Sequence, residues 1–89
     1  MIEMFGERKN QTIEEIIATI AELQDDSTVP KNVKEKVHDI LQTLKDEKAE
    51  LSMRVDKALQ ILDDVAEDSN LQSYTRTQIW NIVSMLEKI

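Results

Sequence analysis

Residues 26–44 carry a pattern that residues 68–86 repeat. Asp26, Ser27, Val29, Lys34, Val37, Ile40, Leu41 and Leu44 are matched, 42 positions on, by Asp68, Ser69, Leu71, Arg76, Ile79, Ile82, Val83 and Leu86. The correspondence also runs backwards, setting Ile13, Ile16, Ile17, Ile20 and Leu23 against Val55, Ala58, Leu59, Leu62 and Val65. Apolar residues three and four apart form one stripe on a helix, so each copy reads as a helix, a turn and a second helix. A chain that duplicates such a hairpin in 89 residues can bury both stripes only by packing the two copies together. The expected fold is all-α, an antiparallel four-helix bundle of two related hairpins, about 11–46 and 49–89, preceded by a leader over residues 1–10.

Punctuation supports this fold class. The chain holds one Gly (Gly6) and one Pro (Pro30), too few for the turns a β-sheet would need. Thr12 with Glu15 has capping-box spacing, which predicts the first helix from Thr12 to about Gln24. Pro30 suits the first turn of a second helix. The third helix is expected from about Ala49 to Ala66 and the fourth from about Gln72 to Lys88. Over residues 44–51 two readings stand. Val37, Leu44, Leu51, Ala58 and Val65 stay in phase across the gap, as one long helix over 31–66 would require. Asp46-Glu47-Lys48 and the duplication itself favour a break.

Composition removes several functions. Without Cys there is neither a disulfide framework nor a thiolate metal site. No apolar run approaches the roughly 20 residues of a membrane span, and the opening residues are too short and acidic for a secretory signal, so a cytoplasmic protein is expected. A net charge of −7 disfavours nonspecific nucleic-acid binding, which needs surplus Lys and Arg.

Arg54-Val55-Asp56-Lys57-Ala58, Tyr74-Thr75-Arg76-Thr77 and Ile79-Trp80-Asn81-Ile82 resemble a group of small archaeal proteins, the uncharacterised protein family 0147. The resemblance runs from about Ile13 to Ile89 and implies a compact helical domain with no assigned activity or site residues. Asp26-x-x-Val29-Pro30-x-x-Val33-Lys34 also resembles the second half of a HEAT-type repeat, whose period of about 40–47 residues includes the offset. The second copy departs from it with Gln72 in place of Pro30.

Catalytic constellations are weak. Glu35 and His38 have the Glu-x-x-His spacing of di-iron bundles, but His38 is the only His. At about 100° per residue both point away from the stripe centred on Val37. Asp25-Asp26 and Asp63-Asp64 suit helix ends and wet faces better than a cleft that would shift their ionisation. No enzyme, metal or cofactor is therefore expected. What the duplication does offer is the pair Lys34 and His38, mapped onto Arg76 and Trp80. If the second and fourth helices were neighbours, these four residues would form a mildly basic strip. On one reading Trp80 only seals the bundle edge with Arg76 over its ring; on the other the strip binds a partner. Trp and Arg dominate binding hot spots, so the favoured function is a noncatalytic protein-interaction module, with homodimerisation as one form of it. The alternative is RNA or ribosome association through the same strip, extended by Lys31 and Lys45.

Overall fold

Helices form where apolar residues recur at three- and four-residue spacing, and the first three give way to a loop built on an aspartate. The structure is a computed structural model and describes residues 2–89, with side chains from Ile13 onward. In chain order α1 is Ile2–Asp25, α2 is Lys31–Lys45, α3 is Leu51–Ala66 and α4 is Ser73–Glu87. Each helix packs on its neighbours in sequence, and α4 closes the ring on α1. The helices α2 and α4 therefore stand at diagonal corners with no close backbone approach. Short loops make neighbours antiparallel, and ring closure makes this a four-helix bundle rather than the open stack of a solenoid.

Two boundaries differ from or refine the sequence reading. The helix does not begin at Thr12, because α1 runs unbroken from Ile2. Thr12 and Glu15 have cap spacing, but no Pro lies ahead of them to stop a helix. Gly6 weakens a helix by only about 1 kcal/mol. Packing of the leader's Ile2, Met4 and Phe5 lies outside the described side chains. Residues 31–66 form two helices, with the break at 46–50.

The duplicated positions occupy matching environments. Ile13 and Val55 are each 9 % exposed, and the pairs Ile16–Ala58, Ile20–Leu62 and Leu23–Val65 are buried throughout. Ile17 and Leu59 are both half-buried. The later pairs Val29–Leu71, Val37–Ile79, Ile40–Ile82, Leu41–Val83 and Leu44–Leu86 are likewise buried. One pair mixes chemistry: Val33 and its counterpart Thr75 are both fully buried.

All three loops share one construction. The Oδ1 atoms of Asp26, Asp46 and Asp68 accept from the N–H groups of Thr28, Lys48 and Asn70, at 2.9, 3.1 and 2.8 Å. The N–H groups of Val29, Ala49 and Leu71 then donate to the carbonyls of those aspartates, each at 3.2 Å. Pro30, Glu50 and Gln72 follow in extended conformation as helix N-caps. Their carbonyls accept the first helical bonds from Lys34, Arg54 and Arg76. Among the described residues none has positive φ, so these reversals need no glycine.

At two of the loops the basic residue also closes the preceding helix. Arg54 Nε donates to Ala49 O at 2.9 Å and its Nη1 to Leu44 O at 3.3 Å. Arg76 Nε donates to Ala66 O at 3.0 Å and its Nη2 to Asp68 O at 2.9 Å. Carbonyls at a helix C-terminus lack partners and carry partial negative charge, so a cation placed there satisfies both. Across α2 and α3, Asn32 donates to Asp68 and Lys36 pairs with Asp64. The side chains of that ion pair are 38 % and 61 % exposed, where such contacts add little.

The loop bonds also perturb ionisation. The Thr28 hydroxyl, then its N–H, hold Asp26 below the usual carboxylate range, with Lys34 adding a smaller pull. The Asn70 N–H, then the Asn32 amide, do the same for Asp68, with Lys36 and Arg76 contributing. Asp64 raises Lys36.

Three outcomes are expected. Replacing Arg76 by Ala removes the guanidinium from the Ala66 carbonyl and leaves Asp68 O with only its bond from the Leu71 N–H; it should lower stability by about 1–3 kcal/mol, with Arg76→Lys intermediate, in urea unfolding. Because Asp26 and Asp68 are depressed in the fold, their contribution is present above the unfolded carboxylate value of about 3.9 and is lost as pH falls through the folded values. Asp26→Asn with Asp68→Asn keeps an acceptor oxygen but cannot titrate, so its thermal midpoint should fall less than the wild type's between about pH 4 and pH 2. Thr75→Val should match or exceed wild-type stability, since Val33 fills the equivalent site; a gain of about 1 kcal/mol would raise the midpoint by about 4–8 °C. A drop of that size would show that the hydroxyl is held by a bond the duplicated site does not need.

Candidate interaction surface

The four residues singled out by the duplication fall on two separate edges. Lys34, half-buried, and His38, exposed, line a shallow groove with Gln24, Lys31, Glu35 and Asp39, between the end of α1 and the start of α2. Arg76 and Trp80 occupy the corresponding positions on α4, where Arg76 is half-buried against the end of α3. Since α2 and α4 are diagonal, the structure does not join the two pairs into the single strip expected from neighbouring even-numbered helices. The offset that made the pairs alike also rotates one to the far side of the bundle. The RNA alternative required that continuous strip, extended by Lys31 and Lys45, and the fold does not assemble it.

Each residue has a defined environment. The Arg76 guanidinium is held by the carbonyls of Ala66 and Asp68, which fixes it at the end of α3. Trp80 is 48 % exposed on α4, with Tyr74 at 70 % and Met53 at 63 % the other large exposed apolar residues among the described residues. Off the main stripes, Ile61 and Met85 pack against the core while Met53 faces solvent, so these three do not gather into one patch. Glu35 and His38 are exposed, as are Asp25, Asp63 and Asp64. Among the described residues no three of His, Asp and Glu approach closely enough to share a metal ion, and no helix is long and apolar enough to cross a membrane.

Two features escaped the sequence reading. Arg54 plays the same part as Arg76, and the signal was present as an aspartate eight residues before each basic residue: Asp26 and Lys34, Asp46 and Arg54, Asp68 and Arg76. The other is an open groove of about 600 Å³ between the start of α3 and the end of α4, lined by Leu51, Val55, Leu59, Leu86 and Ile89 with Asp56 and Glu87 beside them. Its residues follow the ordinary helical stripe, so nothing in their spacing distinguishes them from core.

Known proteins share this arrangement. Residues 2–89 match the profile of the uncharacterised protein family UPF0147. A UPF0147 protein of Methanosarcina mazei is 35 % identical over 89 residues, covering 100 % of this chain and 96 % of the relative. One from Archaeoglobus fulgidus is 36 % identical over 77 residues, covering 86 % and 87 %. Two crystal structures superpose closely. A UPF0147 protein from Thermoplasma acidophilum has a TM-score of 0.85 at 34 % identity, covering 89 % of this chain and 93 % of that one. A protein of unknown function has a TM-score of 0.84 at 41 % identity, covering 88 % and 89 %. The chain thus belongs to UPF0147, an uncharacterised family with archaeal members.

Proposed function

We propose that this protein is a noncatalytic protein-interaction module of the cytoplasm, with the Trp80 edge of α4 as its contact surface. The observation that carries this reading is the half-exposed indole of Trp80 on a bundle whose core is complete without it. A Trp left at the surface beside a fixed Arg has the composition of a binding hot spot. Arg76 supplies the frame rather than a free charge, because its donors already serve α3. Lys34 and His38 form a second, more polar edge related by the duplication.

The ionisable groups fit a noncatalytic role. Acid–base catalysis draws on groups whose shifted ionisation coincides with a cleft. Here the shifted carboxylates, Asp26 and Asp68, are those that hold loops together, and Lys36 is shifted by an exposed ion pair.

Trp80→Ala should weaken association by about tenfold or more while moving the thermal midpoint by less than the roughly 4–8 °C that 1 kcal/mol represents in a domain of this size. The measurement is affinity capture from cells of the source organism with wild type and variant side by side, followed by titration of the captured partner. Because Trp80 is the only Trp, its fluorescence reports binding directly. Identical capture by the variant, with unchanged affinity, would remove Trp80 from the surface.

A further inference from the structure

The duplication assigns a use to the open groove between α3 and α4. Six of its lining residues map, 42 positions back, onto a groove in the first hairpin: Val55 on Ile13, Asp56 on Glu14, Leu59 on Ile17, Leu86 on Leu44, Glu87 on Lys45 and Ile89 on Glu47. In the first hairpin Arg54 also lines this groove and donates to Leu44 O, at the end of α2. In the second hairpin the equivalent helix end at Leu86 receives no guanidinium among the described residues. Over these positions the lining there is more apolar, and Leu51, Leu59 and Ile89 are only partly buried. The internal copy therefore shows what completes such a groove: a basic side chain reaching a helix C-terminus.

That chemistry, joined to apolar residues that the wider groove can cover, exists in this chain. Ile2, Met4 and Phe5 are followed by Arg8 and Lys9. They enter the bundle at the same end as the groove, because Ile13 lies beside Leu44, Lys45 and Glu47 of the α2–α3 turn. The helix α1 continues unbroken to Ile2 over 24 residues, against 15 for α2 and for α4. At 1.5 Å per residue that is about 36 Å against about 22 Å. The long dimension of the molecule, 45 Å against 23 and 20 Å, reflects that extension.

We infer that the groove formed by Leu51, Val55, Leu59, Leu86 and Ile89 receives the first turns of α1 from a second copy of this chain. The segment that is given and the groove that receives lie at one end, so two copies related by a two-fold axis satisfy both sites at once, the commonest closed arrangement. Two molecules of net charge −7 repel, and the contact offsets this locally by setting Arg8 and Lys9 against Asp56, Glu87 and the end of α4. Nothing in this inference rests on Trp80.

Sedimentation equilibrium of the full chain tests it. The wild type should be a dimer, and Leu59→Asp in the groove or Phe5→Asp in the segment should each weaken dimerisation about tenfold or more, with helicity unchanged by circular dichroism. Should Leu59→Asp disturb the fold, exposed charges give a second route. Asp56→Arg with Glu87→Arg, and separately Arg8→Glu with Lys9→Glu, should each weaken the homodimer, while an equimolar mixture of the two variants restores a heterodimer. A monomeric wild type overturns the inference. So does a dimer indifferent to both sets of substitutions, or one lost only in Trp80→Ala, which would place self-association on the α4 edge instead.

Discussion

Every reversal of this chain turns on a single hydrogen bond, from a backbone N–H to the carboxylate of the aspartate two residues earlier. An aspartate side chain used in this way mimics a backbone turn, which is why the loops contain neither glycine nor a residue with positive φ among those described. The bond also sets register. The apolar residue three positions after the aspartate, Val29 or Leu71, is carried inward and buried. The next residue caps the following helix, and four residues later a basic side chain stands beside the helix just left. Three loops built to the same geometry from their aspartate onward give four helices of fixed phase. The stripes face one another because the turns leave them no other orientation.

Seen this way, the repeating unit is smaller than a hairpin. Asp26, Asp46 and Asp68 begin successive loops, so each copy of 42 residues contains two helix-and-loop units of similar design. The duplicated hairpin was legible because apolar identity persists at its buried positions, where loss of packed volume is costly. The finer unit was not legible because Asp46-Glu47-Lys48-Ala49-Glu50 shares only its aspartate with the other loops. The bonds at its remaining positions come from backbone atoms, which any residue supplies. For the same reason Pro30, Glu50 and Gln72 can all serve as N-caps, and the loss of Pro in the second copy did not move the start of α4.

The site was less legible than the fold, and the cause is geometric. Helical phase places Lys34 and His38, or Arg76 and Trp80, to one side of their own stripes correctly. It does not say which helices are neighbours. A ring in sequence order sends the two related helices to opposite corners, so likeness in sequence became separation in space. A second cause is local: helical phase does not show the carbonyls at the end of α3 and in the loop after it that the Arg76 guanidinium reaches.

Where the two halves differ, they differ on surfaces that the core does not need. Val33 and Thr75 are the exception, a polar substitution held inside. Elsewhere the exchange is outward: exposed His38 against exposed Trp80, and Lys45 and Glu47 against Glu87 and Ile89. An old hairpin doubled on itself makes a closed ring in which both copies bury the same stripe, so nothing in stability requires the outer residues to stay alike. The bundle alone would accept a polar residue at Trp80 or Ile89, as the first hairpin does with His38 and Glu47 at the matching sites. Trp80, 48 % exposed, gains only part of its burial from this chain's own packing, and Ile89 is only partly buried against the core. Their favourable burial, if the molecule realises it, must come from surface that another molecule supplies.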